Sequence, residues 1–104
     1  MSYIAFDTPE GEDFLKAITK LRTPEEVGEF LSDMFTPAET RSFISRWKAA
    51  QMLYEGVPYV EIQKLTGLSS ATVARVSQAL QFGTGGYKKV LDRLFRQPAK
   101  RAPK

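Results

Sequence analysis

The residues best placed to do chemistry lie between Pro58 and Leu80, in the run PYVEIQKLTGLSSATVARVSQAL. If the stretch from Ser70 to Leu80 is helical, Ser70, Ala71, Ala74, Arg75 and Gln78 form an outward face that is entirely small, polar or basic. Ser and Gln hydrogen-bond base edges, Ala meets a thymine methyl, and Arg pairs with guanine or with phosphate. Small side chains let such a helix approach a major groove closely. Ser69 is a natural cap, and a capped helix start turns free backbone N–H groups toward a phosphate beside it. With Thr72 added, the candidate DNA-contacting set is Ser69, Ser70, Ala71, Thr72, Ala74, Arg75 and Gln78.

Positioning this face requires two short helices that cross steeply and share a small core. The sequence predicts a first helix from Tyr59 to Leu65, a turn at Thr66-Gly67-Leu68, and a second helix from Ser70 to Leu80. Ile62, Leu68, Val73 and Val76 fall where that core needs apolar groups, and Gly67 falls where the turn needs backbone freedom. The pattern is that of a helix-turn-helix. Two positions depart from it: Gln63 stands where a small residue is usual near the crossing, and Thr66 is less apolar than its position favours. The alternative reading is a plain packed helix pair.

Composition bounds the chemistry. With no Cys and no His, the 104-residue chain lacks thiolate and imidazole nucleophiles, disulfides and the usual zinc ligands. The expectation is a non-enzyme without metal. Scattered carboxylates such as Glu25 and Glu26 read as favourable charge at a helix start. The overall charge of +3 is uneven, with six basic against ten acidic residues in 1–57 and nine against two in 58–104. A basic half suits a polyanion, because Lys and Arg displace the counterions condensed on nucleic acid. No apolar run approaches a membrane span, so no membrane partner is expected and the cytoplasm is the expected compartment.

The rest of the chain reads as helix. Phe14, Leu15, Ile18 and Leu21 recur at helical spacing and predict a helix from Glu12 to Leu21. Thr23-Pro24-Glu25-Glu26 opens a second, with Val27, Phe30, Leu31 and Met34 as its buried face, and Glu26 reaching back to the cap. Thr36-Pro37-Ala38-Glu39 opens the longest, continuing to Glu55 before Gly56, with Phe43, Trp47, Ala50, Leu53 and Tyr54 as a core stripe. Gly83-Thr84-Gly85-Gly86 breaks helix and serves as a hinge rather than a nucleotide loop, since no Gly-Lys-Ser/Thr ending follows. Tyr87 to Phe95 resumes helix with Val90, Leu91 and Leu94 inward, and residues 96–104 form a basic flexible tail.

The blocks FTPAETRSFISRWKAAQMLYEG, LTGLSSATVARVSQAL and FGTGGYKKVLDRL resemble the Trp repressor superfamily, most closely its YerC/YecD-type branch, over roughly Asp13 to Leu94. The resemblance implies an all-α, intertwined homodimer, with residues 1–95 as one domain. Within it, 12–57 supply core and dimerisation helices, 58–80 the helix-turn-helix and 87–95 a carboxy-terminal helix. Two such units reading successive major grooves suit a near-palindromic site with half-sites about 34 Å apart. The resemblance also places Thr36, Arg46 and Arg75 at tryptophan-contacting positions. Val76, however, stands where the repressor has a Gly that leaves room for the indole, and Ala79 replaces a Ser that holds the amino group. A branched residue there completes the helix-turn-helix core without a ligand. The expectation is a transcriptional regulator, a repressor by preference, that binds double-stranded DNA without tryptophan as cofactor. Two alternatives stand beside it: a helix-turn-helix that docks onto a protein, and a regulator gated by another small ligand at Thr36, Arg46, Arg75 and Val76.

Overall fold

The computed structural model describes residues 4–95. The expected basic tail at 96–104 and the first three residues of the expected domain lie outside the described residues. The described residues form a short 3-10 turn, Ile4–Phe6, and six helices: α1 Pro9–Ile18, α2 Pro24–Met34, α3 Pro37–Tyr54, α4 Tyr59–Thr66, α5 Ser70–Phe82 and α6 Gly86–Phe95. The chain is thus all-α. It divides into two units whose boundary falls within α3, between Thr40 and Arg41.

In the first unit three helix starts repeat one device, a threonine cap followed by proline at the first helical position. The Thr8 Oγ1 accepts from Gly11 N at 2.9 Å, Thr23 Oγ1 from Glu26 N at 3.1 Å, and Thr36 Oγ1 from Glu39 N at 3.1 Å. Each satisfies one of the four N–H groups that a helix start leaves without partners. At α3 the box is reciprocal, Glu39 Oε1 accepting from Thr36 N at 2.9 Å, whereas Glu26 Oε1 reaches one residue further than expected, to Arg22 N at 2.9 Å. The Thr8-Pro9 start explains why α1 begins three residues before the predicted Glu12. It stops at Ile18, because Lys20 N and Leu21 N turn back to Ala17 O and Ile18 O in tighter i to i−3 bonds. The rings of Phe6, Phe14 and Phe30 stack in series at 6.3 and 6.4 Å. Phe30 and Leu31 are half-buried, but Val27 and Met34, expected inside, are exposed.

The second unit holds the buried core: Ala49, Ala50 and Met52 of α3, Ile62 of α4, Val73 and Val76 of α5, and Leu91 of α6. Trp47, Leu53, Tyr54, Val57, Leu68, Leu80 and Tyr87 pack against it. The α3 stripe is therefore core except at its amino end, where Phe43 is exposed. Gly56 ends α3 at φ 87°, with Val57 N donating to Met52 O at 2.9 Å and Gly56 N to Leu53 O at 3.0 Å, the paired bonds of a Schellman stop. Of the three α6 residues expected inward, Leu91 is fully buried while Val90 and Leu94 are 45% and 61% exposed. A core this small covers one stripe of a ten-residue helix, and Leu91 occupies that stripe.

Candidate nucleic-acid interface

The two helices of the motif are joined by three residues. Gly67 takes the left-handed conformation, φ 76° and ψ 5°, and its N–H closes α4 on Gln63 O at 2.9 Å. Thr66 earns its place through its hydroxyl, which donates to Ile62 O at 2.7 Å and accepts from Leu68 N at 3.2 Å. The polar atom thereby bridges the last turn of α4 to the connector, which an apolar residue cannot do. Below the turn, Ile62 and Val73 are fully buried and Val76 is 4% exposed. Burial of each such side chain favours the packed pair by about 1.5–3 kcal/mol relative to exposure.

A further tie between the helices was not legible in the pattern. Ser77, only 3% exposed, accepts at Oγ from the Tyr59 hydroxyl at 2.6 Å and from Gln81 Nε2 at 2.9 Å. The first bond spans α4 and α5 and satisfies a polar group that would otherwise be costly inside the packed pair. A serine on the inner stripe of α5 carried a weak signal of this kind, since small hydroxyls are common on any helix face.

The outward face of α5 is as expected. Ser70, Ala71, Ala74, Arg75 and Gln78 are exposed together with the cap Ser69, while Thr72 is half-buried. Ser69 Oγ accepts from Thr72 N at 3.1 Å and donates to Thr72 Oγ1 at 3.0 Å, so the two hydroxyls form one capping unit. The first turn of α5 carries no acidic residue, unlike those of α1, α2, α3 and α4, which hold Glu10 and Glu12, Glu25 and Glu26, Glu39, and Glu61. No acid of its own first turn balances its positive pole, a feature that α6 shares.

Three of the four expected ligand-pocket residues come together. Arg46 from α3, with Thr72, Arg75, Val76 and Ala79 from α5 and Tyr87 from α6, line a cleft of about 140 Å³. Val76 is one wall of it. Thr36 caps α3 in the other unit. Among the described residues Arg46 and Arg75 make no ion pair, and no group of His, Cys, Asp or Glu is arranged to hold a metal. No helix among the described residues is long and apolar enough to cross a membrane.

Comparison with known proteins places this arrangement. The family model described as Trp repressor protein matches residues 10–95. The YerC protein of Bacillus subtilis (strain 168) is 36% identical over 85 residues, 82% of either chain, and the Trp operon repressor homolog of Chlamydia caviae is 34% identical over 86 residues, 82% of this chain and 85% of that one. The crystal structure of a TrpR-like protein from Eubacterium eligens superposes with a TM-score of 0.82 at 36% identity, covering 86% of this chain and 93% of the other. A glycine-turned helix pair that follows a long capped helix, in a chain that the family model matches over residues 10–95, makes the protein a member of the Trp repressor family.

Proposed function

We propose that the protein is a regulator of transcription that binds specific double-stranded DNA as a homodimer, placing α5 in the major groove and repressing by occupying a promoter. The observation that carries this is the split character of α5. Its inner stripe, Val73, Val76 and Ser77, is buried, while Ser70, Ala71, Ala74, Arg75 and Gln78 present a small, polar and basic surface. In this reading Ser69 and the open helix start meet phosphate, and Arg75 and Gln78 reach base edges. The role is regulatory rather than catalytic. Leu15, Val27 and Met34 in the first unit and Ile44, Val90 and Leu94 in the second support dimer formation, being large apolar side chains that one chain leaves exposed.

Tryptophan has no part in this function. Val76 belongs to the core that fixes α5, so the reading helix is ordered by side chains of the protein itself. Selection from random duplexes at low and moderate salt tests the proposal: a near-palindromic motif should emerge, with affinity falling steeply as salt rises. Failure to enrich any motif would end the sequence-specific reading. A second reading, docking onto a protein, draws on Val60 and Leu65 of α4, which are 64% and 65% exposed. Replacing Arg75 and Gln78 separates the two, since only the first reading predicts loss of DNA binding with the dimer intact.

A further inference from the structure

The cleft beside α5 has a geometry that bears on how the reading face is aimed. Four of its lining residues, Thr72, Arg75, Val76 and Ala79, follow the i, i+3, i+4, i+7 spacing of a single stripe along α5. Two of them, Thr72 and Arg75, also border the exposed face. Any rotation of α5 about its axis therefore moves cleft wall and reading face together. Opposite this stripe stands Tyr87, in the first turn of α6, with its ring stacked on Trp47 of α3 at 6.4 Å and 22°.

Around that ring α6 is fastened at two further points. Leu91 is fully buried in the core, and the Tyr54 hydroxyl of α3 donates to Asp92 Oδ1 at 2.6 Å. Short bonds to a carboxylate are among the stronger hydrogen bonds. The connector from α5 is only three residues long, and two of its positions leave no room for a side chain or hold a backbone that one would strain. A side chain at Gly83 would place its Cβ 2.4 Å from Ala79 O, and Gly85 sits at φ 98°. The helix that follows α5 is thus tied to α3 at both ends of its first two turns.

We propose that α6 is a clasp on the reading helix and that Tyr87 is its positioning residue: pinned against Trp47, its ring supports the α5 stripe across the cleft and sets the rotation at which Arg75 and Gln78 face outward. This rests on the DNA-reading role of α5, and it adds that the support comes from outside the helix-turn-helix.

Tyr87→Phe, Tyr87→Ala and Tyr54→Phe in the full chain test it. Amide hydrogen exchange is followed without DNA across 70–82, 59–66 and 37–54, and for Tyr54→Phe across 86–95 as well, and affinity is measured for the selected duplex and an unrelated one. The phenylalanine variant should match the parent within about twofold, because the ring and not its hydroxyl acts, while the alanine variant should exchange about tenfold faster across 70–82 alone and lose about tenfold in affinity for the selected duplex, the scale of one aromatic contact. Added p-cresol, which has the shape of the deleted side chain, should recover part of both. Tyr54→Phe should loosen 86–95 and, with it, 70–82.

Unchanged exchange in 70–82 for the alanine variant overturns the clasp, as does an equal rise in all three helices, which marks general destabilisation. If the alanine variant does not fold, Tyr54→Phe decides by the same exchange pattern. A parent protein that binds no duplex overturns the DNA reading instead, and the exchange arm still decides the clasp.

Discussion

Removing the hydroxyl at Ser77 is the sharpest test of how the helix pair is held. Ser77 Oγ takes two hydrogen bonds, from Tyr59 and Gln81, and lies 3% exposed, whereas Tyr59 is 43% exposed. In Ser77→Ala the Tyr59 hydroxyl and the exposed Gln81 amide can both turn to water, so the loss is the net worth of those two bonds and not the cost of stranding a buried donor: about 1–2 kcal/mol, against up to 3 kcal/mol if Tyr59 were enclosed. Tyr59→Phe should cost about 0.5–1 kcal/mol, since Gln81 still serves Ser77. The double variant should cost less than the two singles together, with a coupling of about 0.5–1 kcal/mol. Chemical denaturation at one fixed protein concentration gives all four stabilities, the concentration mattering because a dimer's stability depends on it. A coupling of zero within error would refute the reasoning, for it would mean that Tyr59 and Ser77 do not share a bond in solution.

Other outcomes follow from single features. Gly67→Ala meets no atom within 4 Å, so its cost is the left-handed backbone alone, about 1–2 kcal/mol or a fall of several degrees in Tm, and Gly67→Asn should recover part of it. Ile62→Ala empties a fully buried site and should cost about 2–5 kcal/mol by denaturation, with a matching loss of helical signal on mild heating. Arg75→Ala should weaken the selected duplex by about 1–3 kcal/mol in gel shift while leaving the stability of the fold within about 0.5 kcal/mol. Ile44→Glu, at a position 61% exposed in one chain, should shift the sedimenting species toward monomer; an unchanged mass would remove Ile44 from the interface. Tryptophan should give no saturable heat in calorimetry, and a clear isotherm would refute the reading of Val76.

Much of this was legible because the signals are local. A hydroxyl before a proline caps a helix whatever surrounds it, and Gly67 marks its turn by being the residue that tolerates positive φ. The reading face followed from periodicity, since Ile62, Val73 and Val76 go inside and leave Ser70, Ala74 and Gln78 out. What escaped depends on partners distant in the chain. Tyr87 against Trp47, Tyr54 with Asp92 and Tyr59 with Ser77 are pairings between helices, which no spacing along one helix announces. Periodicity also overstated burial at Val27, Met34, Val90 and Leu94, because an apolar stripe records that a side chain seeks cover, not that its own chain supplies it. The start of α1 differs from the expected Glu12 for a simpler reason: Thr8-Pro9 is the same signal as at Thr23 and Thr36, without a glutamate three residues later.

The bare first turn of α5 has a practical meaning. An acid at Ser70 or Ala71 would relieve the unbalanced pole there and raise thermal stability by about 0.3–1 kcal/mol. In the proposed complex it would also set a negative charge against phosphate. Here the melting temperature and the affinity should move in opposite directions, so a campaign that selected variants by thermal shift alone would enrich for molecules that fold better and regulate worse.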